Sequence, residues 1–113
     1  MVNDVKIGSE QILIVDDMLP NRRILERIIT GMGHRAILAS SGEEAINILG
    51  GGCDPSLILL DISMPEMDGF DLCRILKADV HTRDIPVIFI SAYSGIDDVV
   101  KGFELGGADY ICK

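Results

Sequence analysis

Cysteine is scarce: Cys53, Cys73 and Cys112 are odd in number, widely spaced, and belong to no C-x-x-C or His-paired motif. That excludes a disulfide framework and a zinc site and leaves the reading of small apolar filler. Basic residues are also few, Lys+Arg 10 against Asp+Glu 18, for a formal net charge of -8. Phosphate neutralisation needs Lys/Arg clusters, so direct nucleic-acid binding by this segment is not expected, and any effect on DNA would belong to another domain. Long apolar runs are missing too. Ile12–Val15, Leu57–Leu60 and Val87–Ile90 have the length of strands, far short of the roughly 20 residues that cross a bilayer. No basic stretch followed by an apolar one occurs in Met1–Gln11, so no secretory signal is visible there, and a cytoplasmic location is expected.

What is present is 113 residues with 48% apolar content, enough for one domain with its own core. Residues 1–10 read as a flexible leader and 11–113 as the domain. Short β-rich runs alternate with helical periodicity, the pattern of repeated βα units on a parallel sheet. Ile12–Val15 is the first strand. Pro20 suits a first helical turn, and Ile24, Leu25, Ile28, Ile29 and Met32 follow with helical spacing up to a stop at Gly33. Ala36–Ala39 is a second strand, and Ser41-Gly-Glu-Glu44 reads as a capping box opening a helix that ends at Gly50-Gly51-Gly52. Leu57–Leu60, unbroken by polar residues, suits a central strand covered on both faces. Asp68-Gly69 is turn chemistry before a third helix through Phe70, Leu72, Cys73, Ile75 and Leu76. Ile85–Ile90 is a fourth strand with Pro86 near its start, Ile96, Val100 and Phe103 mark a fourth helix, and Asp109–Cys112 is a fifth strand. Right-handed crossovers make this a doubly wound α/β sheet, which binds ligands outside the carboxyl ends of its strands.

Those ends carry Asp16-Asp17, Asp61, Ser91 and Lys113. Taken singly, each has an ordinary explanation: an acidic residue favourable to a helix dipole, a turn residue, an N-cap, a solvated lysine. Together they bring three carboxylates, a hydroxyl and an ammonium to one crevice. Crowded carboxylates repel unless a cation enters, and Mg2+, which takes one or two carboxylates and completes its shell with water and phosphoryl oxygens, is the natural candidate. An Asp carboxylate also acts as a nucleophile towards phosphorus, and lysine supplies a mobile charge for phosphate oxygens. His34 and His81 stand by themselves in predicted loops and are read as surface residues. Met64 and Met67, beside the site, are read as packing.

Four segments, Ile12-Leu-Ile-Val-Asp-Asp17, Leu59-Leu-Asp61-Ile-Ser-Met-Pro-Glu-Met-Asp-Gly69, Pro86-Val-Ile-Phe-Ile-Ser-Ala92 and Gly106-Gly-Ala-Asp-Tyr-Ile-Cys-Lys113, resemble the receiver domain of two-component response regulators. The resemblance covers residues 11–113 and implies a flavodoxin-like, five-stranded parallel sheet of order 2-1-3-4-5. It implies that Asp61 is the phosphoacceptor, that Asp17 ligates Mg2+ directly and Asp16 mainly through water, and that the Ser63 backbone carbonyl completes the protein ligands. Lys113 matches the lysine that pairs with the acceptor and then with the phosphoryl group. Ser91 matches the family's hydroxyl position, and Tyr110 its switch aromatic. The implied partners are a sensor histidine kinase or phosphotransfer protein, with an output domain or a second copy of the chain as further possibilities. The family's chain continues from the lysine into a fifth helix, whereas this sequence stops at Lys113, so the expectation is a domain lacking that helix, with one sheet face partly bare.

The resulting expectation is a phosphorylation-dependent switch rather than a metabolic enzyme, with self-catalysed phosphotransfer and loss of the group by hydrolysis. Two alternatives stand beside it. One is an Mg2+-dependent phosphohydrolase using Asp61, but such enzymes need a general acid two residues further on, where this sequence has Ser63. The other is an interaction module that is never phosphorylated.

Overall fold

The computed structural model describes residues 10–91 and 109–112, with Ser91 and the last four residues described by their backbone. Five strands, β1 (Gln11–Val15), β2 (Arg35–Ala39), β3 (Leu57–Asp61), β4 (Val87–Ser91) and β5 (Asp109–Cys112), form one parallel sheet of order β2-β1-β3-β4-β5. Between them lie α1 (Leu19–Gly31), α2 (Gly42–Gly50) and α3 (Gly69–Ala78). The expected leader, except for its last residue Glu10, and the expected fourth helix lie outside the described residues.

Side-chain alternation along the strands divides the core in two. Leu13 and Val15, Ile58 and Leu60, and Val87 and Phe89 pack with Ala45 of α2 and with Phe70, Leu72, Cys73 and Leu76 of α3. Phe70 and Phe89 meet with ring centroids 5.2 Å apart at 53°, a tilted contact that aromatic quadrupoles favour. On the opposite face Ile12, Ile14, Leu59 and Ile90 pack with Ile29 of α1. The sheet is therefore wound on both faces, as the strand pattern predicts.

The helical spacing of Ile24, Leu25, Ile28 and Ile29 falls on α1, where Ile29 is buried and Leu25 packs against the core, while Ile24, Ile28 and the C-cap Met32 are 56%, 53% and 65% exposed, so the apolar stripe is wider than the face that the sheet covers. Two local expectations need correction. Strand β4 starts at Val87 rather than Ile85. Pro86 has no N–H to give to the ladder, and its carbonyl instead accepts from the Ile58 N–H at 3.0 Å. At α2 the Ser41 hydroxyl accepts from the Glu44 N–H, but the Glu44 carboxylate turns to the Ser40 N–H and hydroxyl. The predicted box thus closes one residue upstream. The stop at Gly33 is as expected: its φ is +90°, and its N–H reaches the Thr30 carbonyl at 3.0 Å.

Candidate functional site

Asp16 follows β1 directly and is 1% exposed. Its N–H donates to the Ala39 carbonyl of β2 at 3.1 Å, prolonging the ladder by one residue. Its Oδ1 accepts from the Met18 N–H at 2.9 Å, and its carbonyl accepts from Arg22 Nη1 at 2.8 Å. These contacts turn the chain from strand into helix and leave the next residue, Asp17, facing the strand ends. Asp17 Oδ1 is buried and has no hydrogen-bond partner. An orphaned carboxylate oxygen is costly and marks a place for a cation or water.

Asp61 is the last residue of β3, 4% exposed and in register with Ile90 of β4. The chain then folds tightly. The Ile62 carbonyl accepts from both the Met64 N–H (3.2 Å) and the Gly69 N–H (2.9 Å), and Glu66, at the apex, has φ 66°. Asp68 caps α3 in a reciprocal box with Asp71. Gly69 is therefore the first residue of the helix rather than a turn residue, and its requirement is space: a Cβ there would lie 2.3 Å from the Asp61 carbonyl oxygen and 2.8 Å from Ile62 Cα. Only glycine lets α3 start directly against the backbone that carries Asp61.

The outcome is a group of three carboxylates, from Asp16, Asp17 and Asp61, with one oxygen from each lying within 4.8 Å of the others. Hard oxygen donors at this spacing, one of them orphaned, fit a hard divalent cation. Ser63, with its side chain exposed, lies in the loop two residues past Asp61. Ser91 ends β4, in register with Cys112, and Tyr110 is in register with Phe89, so the backbone brings the β4 and β5 ends to the same edge as Asp61. Lys113 lies outside the described residues. His34 Nδ1 accepts from the Glu10 N–H at 3.1 Å, and His81 is exposed in the loop after α3. Met64 is buried and Met67 packs against the core and Gly42, in keeping with a packing role. Of the cysteines, Cys73 is buried filler, whereas Cys53 is half-buried on a groove of about 530 Å³ between α2 and α3. Burial pushes both thiols above their ordinary range.

Arg22 had no place in the sequence reading, and Glu44 entered it only as the last residue of the α2 capping box. The Glu44 carboxyl is held below its ordinary value by the Ser40 backbone and side-chain hydrogen bonds, and further by the charge of Arg22. Neither residue breaks helical periodicity. The signal at Arg22 is spacing alone, six positions after Asp16 and the fourth residue of α1.

The model of the response regulator receiver domain matches residues 12–113. The chain belongs to the response regulator receiver family. Among curated relatives, it is 38% identical over 109 residues to the probable transcriptional regulator ycf27 of Cyanophora paradoxa, covering 96% of this chain and 44% of that protein. It is 42% identical over 105 residues to the response regulator PleD of Caulobacter vibrioides, covering 93% of this chain and 23% of that protein. This receiver thus spans less than half the length of those curated relatives. The solved N-terminal domain of a response regulator receiver protein from Methanoculleus marisnigri matches with a TM-score of 0.84 at 36% identity, covering 92% of this chain and 84% of that one. Receivers are signalling domains and bind Mg2+ through acidic residues of the kind gathered here, and neither the hydrolase nor the unphosphorylated-module alternative is favoured. Among the described residues no helix is long and apolar enough to cross a membrane.

Proposed function

We propose that this receiver accepts a phosphoryl group on the Asp61 carboxylate from a phosphohistidine of a sensor histidine kinase or phosphotransfer protein in the cytoplasm. A carboxylate oxygen of Asp61 bonds to phosphorus as the P–N bond breaks, and the imidazole leaves with the electron pair and takes up a proton. The observation that carries this reading is the convergence of Asp16 and Asp17 on Asp61, with the Asp17 Oδ1 orphaned. Asp17 and Asp61 would hold Mg2+ directly, with the Ser63 carbonyl, and Asp16 through water. The ion, when bound, supplies charge neutralisation for the phosphoryl oxygens.

This chain's other residues have separate tasks. Lys113 pairs with the phosphoryl oxygens, and the Ser91 hydroxyl moves towards them. Tyr110 turns into the space vacated, so that nearly two added charges bias a two-state element at the β4 and β5 ends. Hydrolysis of the acyl phosphate resets the switch. An output domain or a second copy reads the changed surface.

Intact-mass measurement after incubation with a small-molecule phosphodonor tests the reading. Wild type is expected to gain one phosphoryl group, about 80 Da, only when Mg2+ is present, while Asp61→Asn gains none. An adduct of the same yield on Asp61→Asn contradicts it.

A further inference from the structure

Arg22 is tied to the site from outside it. Its Nη1 donates to the carbonyl of Asp16 at 2.8 Å, while the N–H of the same residue is held by Ala39 at 3.1 Å. A peptide unit is planar, so fixing the Asp16 N–H at one end and the Asp16 carbonyl at the other pins both backbone dihedrals of Asp16 and places the Cα of Asp17. A guanidinium donor gives a charge-assisted, directional bond, and at a residue 1% exposed little water competes for it. The carboxylate aimed by this clamp is the one whose Oδ1 has no partner. We propose that Arg22 is a positioning residue for divalent-cation binding: it acts through the Asp16 carbonyl to hold Asp17 in its binding orientation. The proposal rests on the reading that a divalent cation binds at Asp16, Asp17 and Asp61.

Charge alone predicts the opposite sign. A fixed cation near three carboxylates opposes entry of a metal ion, so an arginine that acted only through its charge would weaken metal binding, and its removal would strengthen it. The charge is in part directed elsewhere, because Arg22 also acts on the Glu44 carboxylate at the start of α2. Positioning and electrostatics can therefore be separated by the direction of one measured change.

The experiment is a calorimetric titration of the unphosphorylated protein with Mn2+, with the metal-free melting temperature recorded for every variant. Arg22→Met removes donor and charge at similar length, and its Mn2+ affinity is expected to fall about tenfold, the size seen when groups that orient metal ligands are lost. Arg22→Lys retains a cationic N–H donor and is expected to recover most of that affinity. A tighter site in Arg22→Met, or unchanged affinity with only a lowered melting temperature, overturns the proposal while leaving the metal site in place. Absence of Mn2+ binding in wild type, or binding unchanged in Asp17→Asn, overturns the metal reading and the proposal with it. Should Arg22→Met not fold, Arg22→Gln, with its weaker neutral donor, is titrated in its place against the same outcomes.

Discussion

The two strand-to-helix junctions that build the acidic site differ in almost every local device. Where β3 passes into α3, the helix is closed by a reciprocal box between Asp68 and Asp71, and Gly69 sits against the Asp61 carbonyl with no room for a Cβ. Where β1 passes into α1, the N-cap is Met18, which makes no side-chain cap bond, and a proline occupies the first turn. There the strand end is held from a distance, by Arg22 on the Asp16 carbonyl and by Met18 N–H on the Asp16 carboxylate. One junction positions its aspartate by exclusion of volume and the other by directed hydrogen bonds. A packing constraint tolerates no substitution, whereas a tether loses its effect in proportion to the bonds removed.

The largest effect is expected at the tighter junction. Gly69→Ala must displace backbone rather than a flexible side chain, at a cost of about 3 kcal/mol, and should lower the melting temperature by ~12 °C or more in a domain of this size. Thermal melts followed by circular dichroism check it, and a stable Gly69→Ala protein would mean that α3 can retreat from Asp61 without loss.

Next in size is the response to metal. Binding only to the folded state stabilises by about 2.7 kcal/mol at one hundred times the dissociation constant, so Mg2+ should raise the wild-type melting temperature. In Asp17→Asn that rise should be absent, and the metal-free protein should melt no lower than wild type because one of three crowded charges is gone. The same melts in Mg2+ and in chelator report both.

A smaller loss is expected from Asp68→Ala, about 1 kcal/mol for a lost N-cap, measured as the shift in urea midpoint. Met18→Ala should give much less, since Met18 contributes no side-chain cap. Equal losses at the two positions would erase the contrast between the junctions.

The smallest effect concerns pH. Glu44 is held below its ordinary carboxyl value of 4.5 by Ser40 and Arg22. Its contribution is therefore present above that value and lost as pH falls through the lower, folded-state value. The stability difference between wild type and Glu44→Gln should shrink as pH is taken below 4.5, and a difference that grows on acidification has the wrong sign.

Much of this was legible in the residues because it depends on periodicity. Apolar runs of strand length, the Gly33 stop and the position of Asp16, Asp17 and Asp61 after apolar strands are one-dimensional signals, and the sheet turns them directly into a shared edge. What could not be read depends on distances across the fold. Gly69 looks like a turn glycine until α3 is seen against Asp61, and Arg22 looks like any polar residue of α1 until its reach to the Asp16 carbonyl is measured. Ile24, Ile28 and Met32 have core periodicity yet stay exposed, because the extent of a buried face is set by what packs on it rather than by the helix itself.

The most direct test of the central claim is to locate the phosphoryl group. Borohydride reduction of the phosphodonor-treated receiver, followed by peptide mass mapping, converts a phosphorylated aspartate to homoserine. Homoserine at position 61 alone, formed only when Mg2+ was present during labelling, is the predicted result. Homoserine at 16 or 17 with Asp61 unchanged would contradict the assignment of Asp61 as the acceptor.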